Sequence, residues 1–142
     1  MTPAALDAVD PEALTAVWNA CGEALSISPR AMAYNLAPST DVAQHLVVAS
    51  TDEGLAGFIL VSKMDNPQVM PAHVGWCDAL AVIPQQQLRI GSALLAQGEA
   101  AAHQGCTHSL WAAASARLSP ACRRSWRTRT FSGARLLLPA GR

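Results

Sequence analysis

Asp78-Ala-Leu-Ala-Val-Ile-Pro-Gln-Gln-Gln-Leu-Arg-Ile-Gly-Ser-Ala-Leu-Leu95 begins as a strand, breaks at a proline and ends as a helix. Pro84 cannot continue a central strand. From Gly91 the apolar spacing puts Leu94, Leu95 and Gly98 on one face, which predicts an Ala-rich helix over Gly91–Gln104 with Gly105 as its C-cap. The first amides of a helix lack intrahelical acceptors and sit at the positive end of its dipole, so they seat a phosphate readily. Gly91 would let a ligand approach the backbone, and Arg89 adds a cation beside it. A strand–loop–helix junction needs a turn in any case, so spacing alone leaves a phosphate seat and a plain turn as alternatives. No Lys-Ser/Thr pair follows the glycine and no three-glycine pattern is present, which excludes a nucleotide-hydrolysing P-loop and a dinucleotide fold.

Working outward, His73–Ile83 reads as one long strand ended by Pro84. Upstream, Gln44–Ser50 and Leu55–Lys63 flank the turn Asp52-Glu53-Gly54 and predict a hairpin. Pro11–Leu25 reads as a helix, with Asp10 as cap and an apolar stripe of Leu14, Val17, Trp18, Cys21 and Leu25. A short second helix, Arg30–Leu36, follows Pro29, and Thr107–Ala112 offers a fourth strand beyond the long helix. This order predicts an α+β domain with a mixed sheet. The strand–helix–strand unit at its centre is then a parallel crossover.

The run from Trp76 to Ala102 resembles the cofactor motif of the GNAT family of N-acetyltransferases, whose loop reads Gln/Arg-x-x-Gly-x-Gly/Ala. Gln86 fills the first position and Gly91 the last, while Arg89 stands where the first glycine is usual. The continuation Ile90-Gly-Ser-Ala-Leu-Leu95 and the strand Gly57-Phe-Ile-Leu-Val61 fit the same family, and the likeness spans roughly Glu12 to Leu110. It implies acetyl-coenzyme A as cofactor. Leu80 and Val82 would pair through their backbones with the pantetheine arm, and the amides of Gln87, Leu88, Arg89, Ile90, Gly91, Ser92 and Ala93 would hold the pyrophosphate. The implied reaction is acetyl transfer to a primary amine on a small molecule or peptide. Asp78, upstream of the cofactor stretch, is the candidate for the polar catalytic role, with a substrate-orienting or merely edge-exposed carboxylate as the alternative. Trp76 and Tyr34 either wall the acceptor pocket or, more in keeping with their chemistry, belong to the core.

The last part of the chain departs from that family. Past Leu110 there is no Tyr, Asn, Lys or carboxylate, and Arg117, Arg123, Arg124, Arg127, Arg129, Arg135 and Arg142 crowd together. With G+C-rich codons, Trp111–Arg117 read one base earlier becomes Leu-Gly-Gly-Ser-Leu-Arg, a run such family members carry there. A frameshifted or divergent C-terminal third is therefore expected, with a domain over 1–114 and a poorly ordered Arg-rich tail over 115–142. Apolar surface bared by lost strands would favour a homodimer. Two other readings remain open at this point. One is an acyl-coenzyme A binding or interaction module without catalysis. The other is polyanion binding by the arginines, which the net charge of zero disfavours for the whole molecule.

Composition sets the remaining bounds. Hydrophobic residues are 51% and charged residues 14% of the 142, so the chain has a core to bury. The acidic start Met1–Asp10 has neither the basic flank nor the apolar run of a secretory signal, and no stretch is long and apolar enough to span a bilayer, so a cytoplasmic protein without membrane contact is expected. Cys21, Cys77, Cys106 and Cys122 match no zinc spacing and read as reduced thiols. His45, His73, His103 and His108 show no ligand spacing, so no metal is expected.

Overall fold

The computed structural model describes residues 1–22, 26–64, 68, 74–103 and 108–111. Its sheet runs in the order β1 (Thr2–Ala4), β2 (Val42–Thr51), β3 (Gly54–Met64), β4 (Val74–Val82) and β5 (His108–Trp111). The first four strands pair antiparallel, and β5 lies parallel to β4. The β2–β3 turn closes on Gly54, whose φ of 123° lies where a side chain is strained.

Among the described residues three α-helices cover the sheet: α1 (Pro11–Ala20), α2 (Pro29–Asn35) and α3 (Gln87–His103). α1 starts where Asp10 accepts from the Glu12 amide at 2.9 Å, with Pro11 in the first turn. Ser28 caps α2 in the same way, accepting from the Ala31 amide at 3.2 Å. Asn19 ties the two helices together, exchanging bonds of 3.1 and 3.0 Å with the backbone of Ile27.

Strand alternation then sorts the core into two layers. Phe58 and Leu60 of β3 pack with Leu14 and Val17 of α1, Met32 of α2 and Leu36 just past its end. Ile59 and Val61 point the other way, to Leu94 and Ala102 of α3. Phe58, Ile59, Leu14 and Leu94 are fully buried, each contributing about 1.5–3 kcal/mol. Two glycines set how close α3 and β4 come to β3. A Cβ on Gly98 would press into Ile59 Cδ1, and one on Gly57 would lie 2.9 Å from the Ala81 carbonyl oxygen.

The α+β class, the hairpin, the long strand and the parallel crossover partner all stand as the sequence predicts. The helices differ at their ends. α3 begins at Gln87 rather than Gly91, because Gln87, Leu88, Arg89 and Ile90 are all residues that a helix accepts at little cost, and the 3-10 turn Pro84–Gln86 runs straight into them. α1 ends at Ala20, short of the predicted Leu25. β1 was not foreseen, since three residues containing a proline carry no period. The predictions for Leu25, His73, Gln104, Gly105, Thr107 and Ala112, the boundary at residue 114 and the tail 115–142 lie outside the described residues.

Gly57→Ala tests the close approach. Its new methyl meets backbone rather than a yielding side-chain tip. Overpacking of about 1–3 kcal/mol exceeds the entropic gain of about 0.5–1 kcal/mol from removing a glycine, so a net loss of about 1 kcal/mol is expected. Thermal unfolding should show it as a fall in Tm of about 3–5 °C.

Candidate active site

β4 carries one residue more than β3 can match. Leu60 pairs with Ala79 and Val61 with Cys77, so Asp78 stands opposite nothing. Such a bulge re-aims a side chain and reverses the alternation beyond it. Cys77 packs on the α3 side. Past the bulge it is Leu80 and Val82 that do so, while Ala79 and Ala81 turn to α1 and α2.

Asp78 is exposed, yet its carboxylate is held at both oxygens. Ser62 Oγ donates to Oδ2, and Trp76 Nε1 donates to Oδ1 at 2.7 Å. Ser62 is 2% exposed, the only buried polar side chain among the described residues besides Thr15. Thr15 merely donates back to Pro11 O of its own helix, at 2.7 Å. Gln44, Ser62 and Trp76 form one row across the sheet. Gln44 Nε2 donates to Asn35 O at 3.0 Å, and its Oε1 is buried with no partner among the described residues.

The backbone beyond the bulge is equally oriented. The Ile83 amide donates to Ala56 O at 2.9 Å. Antiparallel pairs alternate, so Ala81 and Ala79 also face β3, and the N–H and C=O groups of Leu80 and Val82 point to the opposite edge. β5 covers that edge only from Val74 to Cys77. Among the described residues, no strand lies beside it from Asp78 to Val82. The Cys21 thiol is shared between Val17 O of α1 at 3.2 Å and the Val82 carbonyl at 3.3 Å, which brings the end of α1 to the end of β4.

This edge leads into α3, where Gln87 to Ala93 occupy the first two turns. Gly91 lies in the second turn rather than at the start. Its missing Cβ would meet nothing nearer than Val82 Cγ2 at 4.0 Å. Glycine in a helix costs about 0.5–1 kcal/mol relative to alanine. Packing does not require it here. Arg89 is exposed and, with Gln86 and Ile90, faces Ser50, Thr51, Asp52 and Glu53 across a cleft of about 500 Å³.

Of the aromatic pair, Trp76 is half-buried and bonded to Asp78, while Tyr34 is 80% exposed. Tyr34 is therefore not a core residue: α2 is short, and its buried side is taken by Met32. Ser62 was missed from sequence. The signal was a polar residue in step with Phe58 and Leu60 on an inward face. Among the described residues no three His, Cys, Asp or Glu side chains gather as metal ligands. No described helix is long and apolar enough to cross a membrane.

The family model described as "Acetyltransferase (GNAT) family" matches residues 11–124. The chain belongs to that family, whose members transfer an acetyl group to an amine. Solved structures agree on the fold. A ribosomal-protein-alanine N-acetyltransferase from Brucella melitensis superposes with a TM-score of 0.63 at 14% identity, covering 96% of each chain. An aminoglycoside antibiotic 6'-N-acetyltransferase from Acinetobacter haemolyticus gives 0.59 at 20% identity, over 99% of this chain and 98% of that one. An acetyltransferase from Trypanosoma brucei gives 0.57 at 15%, over 96% and 97%. A search of curated protein sequences finds no match.

Cys77 next to the bulge is free, buried and pushed up to about 12, first by burial and then by the negative charge of Asp78. Cys21 is raised as well, by burial. Folding thus favours the protonated Cys77 thiol. Its contribution to stability is whole below pH 9.0, the ordinary thiol value, and is lost as pH rises toward about 12. Native protein treated with iodoacetamide near pH 8 should leave the Cys77 peptide unlabelled, since only the thiolate reacts. Cys77→Ala should lose less stability than the wild type, by urea denaturation, as pH is raised above 9.0.

Proposed function

We propose that the chain binds acetyl-coenzyme A along the open edge of β4 and the start of α3, and acetylates a primary amine that approaches at Asp78. The observation that carries this reading is the orientation of Leu80 and Val82. Their backbone groups point to an edge with no described strand beside it, and that edge runs into a helix start. An extended pantetheine arm would add there as a strand does. The amides without intrahelical acceptors belong to the first turn, Gln87 to Ile90. The bare surface at Gly91 allows the pyrophosphate to come close, and Arg89 adds a positive charge.

Acetyl-coenzyme A, when bound, supplies the thioester carbonyl. The chain supplies the rest. A lysine-type amine has a pKa of about 10.4, so it arrives protonated and must lose that proton before it attacks. Asp78, exposed at the bulge and held on both oxygens, takes the proton directly or through water. A β4 backbone amide at the open edge faces the developing oxyanion; as the new C–N bond replaces the thioester C–S bond, coenzyme A leaves as the thiol and carries the amine's second proton. The acceptor is a small molecule or a peptide, the setting is the cytoplasm, and the homodimer expected from sequence belongs to the same reading.

Calorimetry with coenzyme A should show one saturable site. Gly91→Trp should weaken it about tenfold or more, comparable to losing a hydrogen bond or two to a charged group. Folded wild-type protein that ignores millimolar coenzyme A would sink the cofactor site. Coenzyme A bound without acetylation of any amine in a broad panel would sink the transfer step.

A further inference from the structure

Phe58 and Leu60 precede Ser62 on one face of β3, and all three are buried. A hydroxyl in such a place is tolerated only with a partner. Its partner here is the Asp78 carboxylate on the neighbouring strand. Asp78 is the residue the bulge extrudes, and its other oxygen accepts from the Trp76 indole at 2.7 Å. One donor comes from β3 beneath and one from along β4, each on a different oxygen. Two such bonds fix both the rotamer and the plane of the carboxylate. An ionised carboxylate has about four lone-pair sites, and two are used. The rest remain on the exposed side of Asp78. Whatever binds there must bring hydrogen-bond donors, and a cationic donor binds best.

We infer that Ser62 and Trp76 are positioning residues that aim Asp78 at the ammonium group of the acceptor amine. This rests on the transfer reading above, and deepens it by naming what recognises the acceptor. The energetic logic is pre-organisation: a carboxylate already fixed loses little freedom when the amine arrives. Had Ser62 served only to fill space in β3, an alanine or valine would do so without a polar atom to satisfy.

The test uses the full chain as wild type, Ser62→Ala, Ser62→Thr, Trp76→Phe and Asp78→Asn, with thermal melts to show that each is folded. Spermidine, lysine amide and kanamycin are titrated while the Trp76 indole N–H is followed by NMR, its resonance assigned by its absence in Trp76→Phe. At least one of the three amines should shift it saturably. That affinity should fall about tenfold in Ser62→Ala, the scale of one hydrogen bond to a charged group, and vanish in Asp78→Asn. Ser62→Thr, which keeps the hydroxyl, should restore it. Coenzyme A affinity by calorimetry should be equal in all five. With acetyl-coenzyme A as donor, Ser62→Ala should raise the KM for the amine and lower kcat as well, because the same carboxylate takes the amine's proton. Amine affinity unchanged in folded Ser62→Ala and Asp78→Asn overturns the inference. So does the lack of any shift with all three amines, or a failure of threonine to rescue. Loss of coenzyme A binding in the wild type sinks the transfer reading instead, because the amine titration is read without it.

Discussion

Because Asp78 has no counterpart on β3, everything in β4 beyond it turns over. Without the extra residue, Ala79 and Ala81 would continue the α3 face begun by Cys77, and Leu80 and Val82 would crowd α1 and α2. The bulge instead gives α3 the larger pair and leaves alanines beneath α1 and α2, where Phe58 and Leu60 already fill the layer. The same residue is thrust outward with its carboxylate, so the packing of the second half of the strand and the placing of the polar group have one cause. A strand pair in plain register would provide neither.

The glycines divide the labour on the other face. Gly57 and Gly98 are required by contact, since a methyl on either would press into β4 backbone or into Ile59. Gly91 is not required by contact: among the described residues a Cβ there would meet only Val82 Cγ2, at 4.0 Å. Reading them together separates a glycine that lets two elements meet from one that leaves backbone accessible. Cys21 adds a further constraint, its thiol shared between Val17 O of α1 and the last carbonyl of β4, so the helix that closes one layer also steadies the end of that strand.

Much of this was legible in the sequence. β2, β3 and β4 announce themselves by branched apolar runs between turn residues, and α1 by its cap and stripe. What stayed hidden was geometry set between elements. The start of α3 was hidden because Pro84 and Gly91 both look like punctuation, and only the continuous turn from Pro84 onward tells which one is. The bulge leaves no local mark, as Cys77-Asp78-Ala79 contains no glycine and its extra residue exists only relative to β3. Asp78 could be picked out as a carboxylate on β4. Its partners could not, because Ser62 and Trp76 reach it only through the β3–β4 register.

The order of closing differs sharply among the strands. β2 and β3 meet across the turn Asp52–Glu53, whereas β1 must reach over α1 and α2, and β5 must wait for α3 to cross the sheet. Loop-closure entropy favours the short connection, so the β2–β3 hairpin is the natural nucleus, and β1 and β5 are the last strands to join and the first to leave. Amide exchange should accordingly be slowest around Ile59–Val61 and fastest in β1. Ser62 is thus set in the part of the sheet that forms early and lets go late, and a molecule that has shed β1 and β5 can still hold the residue that anchors Asp78.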